Sequence, residues 1–365
     1  MKKTLIAMAV MAVAGAASAQ IAPNAVTLYG VLDAGVAVTT VATNSVDVAG
    51  ANLGLQQNAS FLNGNRFGMK GTEDLGDGLS ALFQIENGFT IDNGRISQGG
   101  RLFGRQAFVG LKGSFGQLTL GRQYTHLDTL WGTYDAGEYG ANSAMAFAWG
   151  GGTVGDIGRI DNTIQYNTPS MSGFSASLQF APGEDKATGR DASSYTGALF
   201  GYSAGALSVH AAWESASIKA AGTFDTANTA AVTSPTVVSA GVNTLATTAL
   251  GISYDLGAAK LFGGVNMASA DAGVKETGYM IGAIIPAGVS TINLTWGSET
   301  RSAANMVDGT GTGFAGHVRY NLSPSKRTSI YAGFLSGKST LPVATGAAQP
   351  ETSVNTYMAG LKHVF

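Results

Sequence analysis

The sequence predicts an all-β fold, a 16-stranded antiparallel transmembrane β-barrel with short turns at one end and long loops at the other. Three observations lead to this prediction. Only 12% of the 365 residues are charged and 52 are glycine, whereas an average soluble domain has about 25% charged residues and about 7% glycine. Apolar and polar residues alternate along most of the chain, which is typical of strands with one apolar face. Short and long connections between these segments also alternate.

The composition excludes several classes of protein. A hydrophobic content of 45% excludes a chain that is disordered for lack of apolar residues. The formal net charge of −2 excludes a generally basic nucleic-acid-binding protein. Because the chain has no cysteine, disulfide scaffolds, thiolate metal sites and cysteine nucleophiles are excluded. We therefore expect no nucleic-acid partner. We also expect no metal or cofactor, because no EF-hand-like spacing of carboxylates occurs in the chain.

Residues 1–19 are predicted to be a signal peptide for export. A positively charged start is followed by an apolar stretch over residues 5–16 and by the small-x-small cleavage pattern Ala17-Ser18-Ala19. Cleavage would leave residues 20–365, which contain no linker and are expected to form a single barrel domain. No later segment has the roughly 20 consecutive apolar residues that a spanning helix requires. The exported chain is therefore either a soluble β protein or a barrel that satisfies its backbone hydrogen bonds within lipid.

Seven short connections rich in turn-forming residues separate paired strand patterns. They cover residues 73–78, 113–116, 168–173, 203–205, 255–259, 286–288 and 322–327. Seven turns join fourteen strands, and the strands that begin at Val26 and end at Phe365 bring the number to sixteen. An even number of strands with short turns at one end is typical of bacterial outer-membrane barrels, and sixteen strands enclose a water-filled lumen.

Aromatic residues near strand ends predict the two outward-facing girdles that mark the membrane–water interfaces. They are Tyr29, Tyr166, Phe180, Tyr254, Tyr320, Tyr331, Tyr357 and Phe365. Any one of them could equally be a packed core residue. Together with the export signal they favour a membrane barrel.

Six segments carry a resemblance to a known family. They read VTLYGVLDAG (26–35), NRFGMKGTEDLG (65–76), RQAFVGL (105–111), GQLTLGRQ (116–123), YNLS with KRT (320–323 and 326–328) and GLKHVF (360–365). In this order they resemble the trimeric general porins of Gram-negative outer membranes, over nearly all of the chain.

The resemblance implies particular partners. It implies a homotrimer in contact with outer-membrane lipid and lipopolysaccharide, in which residues 88–104 form a loop that holds a neighbouring subunit. A loop that contacts no subunit is the alternative for these residues. It also implies that the terminal Phe365 is the signal read by the outer-membrane β-barrel assembly machinery.

The resemblance further implies that the connection from Tyr124 to about Gly158 folds into the barrel as a constriction loop. A connection of more than about 15 residues without its own structure is usually functional. This one carries Asp128, Asp135 and Glu138, with Asp156 near its end. We predict that the first three lie at the pore constriction; an extracellular loop with ordinary solvating charges is the alternative.

Three arginines match the positions that the family places on the opposite barrel wall, namely Arg66, Arg105 and Arg159. Alternation independently turns Arg66 and Arg159 inward, because Phe67 and Ile160 would then face outward. Arginine suits this role because it stays charged at any relevant pH and its planar fork is rigid.

Alternation does not decide the direction of Arg105. Turning it inward and Phe108 outward would also place Val109 and Leu111 in the lumen. The same alternation predicts three further lumen-facing residues: Lys70, Glu86 and Asp161.

These features predict a general diffusion porin, a water-filled channel through which ions and small hydrophilic solutes pass passively. Wall arginines that face an acidic loop would set the ion selectivity, with a lean toward anions. A substrate-specific channel, for example for a sugar, and a surface adhesin are the alternatives. Aromatic residues of the loop keep the sugar channel open, although they could equally pack the loop against the wall: Trp131, Tyr134, Tyr139, Phe147 and Trp149.

An enzyme is not expected. His126 lies two residues from Asp128, a pairing that a hydrolase could use. No Gly-x-Ser-x-Gly nucleophile turn accompanies it. A charged loop is therefore the better interpretation of these residues.

Overall fold

The computed structural model describes residues 25–43, 46–48, 61–140, 143–148, 158–182, 194–217, 244–270 and 273–365. The predicted signal peptide, Asp156, Trp149 and most of the loop between residues 215 and 248 lie outside the described residues. None of the described helices is long and apolar enough to cross a membrane.

Within the described residues, sixteen long antiparallel strands form one closed sheet, and the short strand Val46–Val48 pairs with the end of the first of them. They are β1 Ala25–Thr43, β2 Arg66–Gly76, β3 Leu79–Gly88, β4 Gln106–Gly113, β5 Gly116–Tyr124, β6 Arg159–Asn167, β7 Phe174–Ala181, β8 Tyr195–Ala204, β9 Leu207–Ser217, β10 Thr244–Asp255, β11 Lys260–Ala270, β12 Lys275–Ala287, β13 Ser290–Ser302, β14 Gly309–Asn321, β15 Thr328–Thr340 and β16 Glu351–Val364. The remaining elements are the α-helix α1 His126–Tyr134, the 3-10 helices Gln98–Gly100 and Ala144–Phe147, and the short strands Val46–Val48, Met306–Val307 and Val343–Ala344.

Strand β1 closes the barrel because it pairs with both β2 and β16. Its first half pairs with β2, from Ala25 opposite Thr72 to Val31 opposite Arg66. Its second half pairs with β16, from Val31 opposite Val364 to Thr43 opposite Thr352. In the part of the barrel sheet that the structure describes, closure leaves no open edge, as a barrel in lipid requires. The sixteen-stranded antiparallel barrel predicted from the sequence is confirmed.

The seven short connections lie at the predicted positions, between successive strands at one end of the barrel. Their glycines include Gly76, Gly205 and Gly288, with φ of 88°, 58° and 64°. Only glycine adopts these values without a steric penalty from Cβ. The opposite end carries the long extracellular loops.

Side chains alternate between a lipid-facing apolar surface and a more polar interior. Leu28 and Ile281 are about 60% exposed on the outside, whereas Thr119, Asn293 and Thr295 are buried on the inside. This pattern places the apolar face toward lipid.

Two of the expected girdle residues point inward instead. The hydroxyl of Tyr29 donates to Glu86 at 2.9 Å, and the hydroxyl of Tyr331 donates to Asp33 at 2.5 Å. Alternation along their strands turns both tyrosine side chains inward, so each is part of an internal polar network. Tyr254, Tyr320 and Tyr357 are exposed on the outer surface, as a girdle requires.

The connection between β5 and β6 folds into the barrel, as the constriction-loop prediction states. Helix α1 begins after Thr125, whose side chain accepts a hydrogen bond from the backbone N–H of Asp128 at 3.1 Å. Its apolar residues pack against inner-wall residues of β9 to β12: Leu127, Leu130, Trp131 and Tyr134 contact Ala212, Ala249, Phe262 and Met280. Burying each large side chain stabilises the docked loop by about 2 kcal/mol.

The inner wall beneath this loop also includes glycines that the loop touches directly. A Cβ atom at Gly251 would collide with the ring of Tyr134, and one at Gly313 would collide with the ring of Phe147. At Gly278 and Gly297 a Cβ would meet the loop backbone itself. Part of the glycine excess therefore has a packing reason, since the loop lies directly on the strand backbones.

Candidate functional site

A cluster of arginine and tyrosine side chains lies on the inner wall near the start of the loop. Arg105 donates from Nε to Oε1 of Glu86 at 2.7 Å and also donates to the hydroxyl of Tyr124. Arg159 donates to the same hydroxyl at 3.0 Å, and its guanidinium carbon lies 4.4 Å from the centre of the Tyr124 ring. Two guanidinium groups are thus held on one tyrosine, where cation–π attraction adds to the hydrogen bonds.

Arg66 and Lys70 extend this basic surface along β2. Arg66 interacts electrostatically with Arg105, Arg159 and Glu86. The ammonium group of Lys70 lies 5.5 Å from the centre of the Tyr29 ring. The side chains of Arg66 and Lys70 point inward, because side chains alternate along β2 and those of Phe67 and Met69 are exposed on the outer surface.

The structure resolves the direction of Arg105. Val109 and Leu111 are exposed on the outer surface, so they do not line the lumen. Arg105 precedes β4, which begins at Gln106, and its side chain is therefore free of the strand's alternation. It turns inward to Glu86, which is also buried on the inner side.

On the loop, Asp128 faces the arginine cluster. Its carboxylate accepts a hydrogen bond from the hydroxyl of Tyr139 at 2.6 Å. It also attracts the guanidinium of Arg159 electrostatically. Of the three predicted loop carboxylates, Asp128 is the one that lies against the predicted wall arginines.

Glu138 lies against a second basic group, which the sequence analysis did not include. Its carboxylate accepts from Nζ of Lys362 at 2.7 Å and from Nη1 of Arg319. His317 lies 3.9 Å away. Alternation could have found both cations, because Tyr320 and Leu361 are exposed on the outer surface and their neighbours must point inward. The pairing with Glu138 has no signal in the sequence.

Asp135 differs from the expectation of a residue that faces the pore. Both of its oxygens accept hydrogen bonds from the loop, namely from the backbone N–H groups of Gly137 at 2.7 Å and Tyr139 at 2.9 Å and from the hydroxyl of Ser143 at 2.8 Å. Burial raises the pKa of Asp135. Its carboxylate shapes the turn that follows α1.

Asp161 also differs from expectation, because it lies on the outer side of the wall. Gly121 pairs with Thr163 and Gln123 pairs with Ile160, so Asp161 and Asn162 together oppose Arg122 in a β-bulge. Asn162 has φ of 57°, and the bulge reverses the alternation of β6. The carboxylate of Asp161 binds Arg122 at 2.7 Å and Arg101 at 2.9 Å, with 42% of the side chain exposed.

The same bulge turns Ile160 inward, where it packs near Tyr195 and Leu245. The argument that placed Arg159 inward opposite an outward Ile160 therefore does not hold. Arg159 reaches the cluster because it is the first residue of β6, next to the inward-folded loop.

The loop aromatics face the wall more than the lumen. Trp131, Tyr134 and Phe147 are almost fully buried. The hydroxyl of Tyr134 bonds with Nδ1 of His210 at 2.5 Å, and Phe147 lies on Gly313 and Gly337. These residues dock the loop.

Phe365 ends the chain beside β1. Its backbone N–H donates to the carbonyl of Gly30 at 3.1 Å, and its carbonyl accepts from the N–H of Gly30 at 3.1 Å. Its ring stacks on His363. The terminal aromatic therefore lies at the seam where the barrel closes.

Comparison with known proteins decides the family. A family model described as Gram-negative porin matches residues 5–340. The chain belongs to the Gram-negative porin family. The porin is 33% identical to outer membrane porin protein 32 of Delftia acidovorans, over 100% of both chains. It is 42% identical to an outer membrane porin protein of Bordetella pertussis, over 50% of this chain and 48% of that relative.

A solved structure extends the comparison. The anion-selective porin from Comamonas acidovorans aligns with a TM-score of 0.71 and 28% identity, covering 94% of this chain and 100% of that one. This porin is therefore a channel of the Gram-negative outer membrane and not an enzyme. The predicted acid–base partner His126 is buried in the loop, where burial lowers its pKa to about 4 and keeps it neutral at pH 7.

Proposed function

We propose that this porin is a general diffusion channel for ions and small hydrophilic solutes with a preference for anions. One observation carries the proposal: Arg66, Arg105 and Arg159 share one basic surface on the inner wall, whereas the loop carboxylate of Glu138 is already paired with two cations. The electric field across the pore constriction is then dominated by the three arginines. The similarity to an anion-selective porin also supports a preference for anions.

Passage is passive in this proposal. The arginines on the wall and Asp128 on the loop set up a transverse field in which polar solutes orient. Charged rings at close quarters bias the sign of the ions that pass, and the permanent charge of arginine makes the bias independent of pH near neutrality. Apolar solutes are disfavoured because they must displace ordered water.

The assembly is proposed to be a homotrimer in contact with lipid and lipopolysaccharide. The loop over residues 88–104 exposes Ile96 and Leu102 at the extracellular end. Apolar side chains exposed on a loop fit a surface that is covered by a neighbouring subunit. We also propose cleavage after Ala19, so that the mature chain starts at Gln20; N-terminal sequencing of the membrane protein tests this.

Recording from single channels in a planar bilayer under a KCl gradient tests the function. We expect stepwise openings that close in groups of three and a reversal potential with the sign of chloride permeation. A cation-selective channel would refute the anion preference. Conductance blocked in a saturable way by one sugar would favour the substrate-specific alternative, and a silent bilayer with folded barrel would refute both.

A further inference from the structure

The tip of the constriction loop adopts a backbone conformation that requires support. Glu138 and Tyr139 are consecutive non-glycine residues with φ of 64° and 57°. Such left-handed conformations cost roughly 1 kcal/mol or more for each residue and persist only where the surroundings enforce them. The contacts of the tip show what enforces them.

The tip is fastened to the inner wall at β13, β14 and β16 and to the segment that precedes β2. Asn63 donates from its side chain to the carbonyl of Glu138 at 2.9 Å. Asn293 of β13 donates to the carbonyl of Ala136 at 2.7 Å. Lys362 of β16 and Arg319 of β14 bind the two carboxylate oxygens of Glu138. Three strands and the segment before β2 thus converge on two loop residues, Ala136 and Glu138.

The charges in this region depend on one another. The side chains of Glu138 and Lys362 are each 10% exposed and that of Arg319 is 24% exposed. Burial alone would raise the pKa of Glu138, but Lys362 and Arg319 hold it well below its ordinary value. Asp33 interacts with Lys362 as well, but its oxygens accept hydrogen bonds from Tyr331 and from the backbone of Leu62 and Asn63.

We propose that Glu138 is a positioning residue, whose ion pairs with Arg319 and Lys362 clamp the loop tip to the wall and keep these two cations out of the permeation field. Resting on the proposed role of the wall charges in selectivity, this inference assigns Glu138 a role different from that of a pore-lining acid. The clamp has two measurable consequences, one for the position of the loop and one for the charge of the lumen.

Two single substitutions separate these consequences. Glu138→Gln removes the carboxylate to which both cations bind, while Lys362→Met removes one cation and leaves Arg319 to hold Glu138. Breaking a buried ion pair by removing one partner is strongly destabilising. We therefore expect the closed-to-open ratio in single-channel records to rise at least about tenfold for Glu138→Gln and to rise less for Lys362→Met.

The reversal potential should move in opposite directions in Glu138→Gln and Lys362→Met. Glu138→Gln exposes positive charge to the lumen and shifts the potential toward anions, and Lys362→Met shifts it toward cations. The exchanged pair Glu138→Lys with Lys362→Glu should return the closure frequency toward that of the unmodified porin. Glu351→Gln is the matched control, because Glu351 pairs with Lys338 at 3.1 Å on the exposed surface and should change neither quantity.

Two results would overturn the clamp. One is an unchanged closure frequency in Glu138→Gln, and the other is a shift of both single variants in the same direction. Should Glu138→Gln fail to assemble, Lys362→Met and the exchanged pair still test the proposal. An exchanged pair that closes as often as Lys362→Met would contradict it. These comparisons between variants do not depend on whether the unmodified porin prefers anions, so failure of the proposed selectivity is separately visible.

Discussion

The buried histidine of the constriction loop makes the stability of the porin depend on pH. His126 is 2% exposed at the start of α1, and burial lowers its pKa from 6.5 to about 4. The unfolded chain binds this proton more tightly than the folded one, so stability is complete above pH 6.5 and falls as the pH decreases toward 4. At pH 4.5 the loss is about 2.5 kcal/mol.

Urea unfolding of the detergent-folded porin, followed by tryptophan fluorescence and heat-modifiable mobility, measures this loss. His126→Gln cannot take up the proton, so its free energy of unfolding should change less between pH 7.5 and pH 4.5 than that of the unmodified porin, by about 2.5 kcal/mol. His363→Gln, at the end of β16, is the matched control and should retain the full dependence. Equal pH dependence in His126→Gln and the unmodified porin would refute the reasoning.

Three further predictions concern selectivity and assembly. Replacing Arg66 and Arg105 together with glutamine should shift the reversal potential toward cations while the barrel keeps its heat-modifiable mobility; an unchanged potential would remove both residues from the neck. Asp161→Asn should leave the reversal potential within error of the unmodified porin, because its carboxylate lies outside the lumen, and a shift like that of a wall residue would contradict this placement. Deletion of Phe365 should lower the amount of folded porin in outer-membrane fractions, and normal levels would count against the terminal signal.

The sequence was sufficient for the barrel and for part of the site. Alternation is a local property, so strand number, turns and the inward direction of Arg66 follow from neighbouring residues. It failed at Asp161 because a bulge adds one residue to β6, and the residue types around Asn162 do not reveal it.

The clamp around Glu138 could not be predicted for a different reason. Its partners Arg319 and Lys362 are 181 and 224 residues away along the chain. Which inward cation meets which loop carboxylate depends on how far the loop reaches across the lumen, and no spacing in the sequence encodes that distance. Asp135 illustrates a related limit, because its carboxylate accepts hydrogen bonds from Gly137, Tyr139 and Ser143 of the loop itself, whereas its charge alone predicted a residue that faces the pore.

The glycine surface beneath the constriction loop has a consequence for the mechanical behaviour of the pore. Where two backbones touch directly, as at Gly278 and Gly297, the distance between the loop and the wall is set by main-chain atoms and does not vary with side-chain rotamers. Replacing either glycine with alanine would add a methyl group between the two backbones and displace the loop toward the opposite wall. The width of the constriction could therefore be changed by substitutions beneath the loop, without altering a residue that permeating solutes touch.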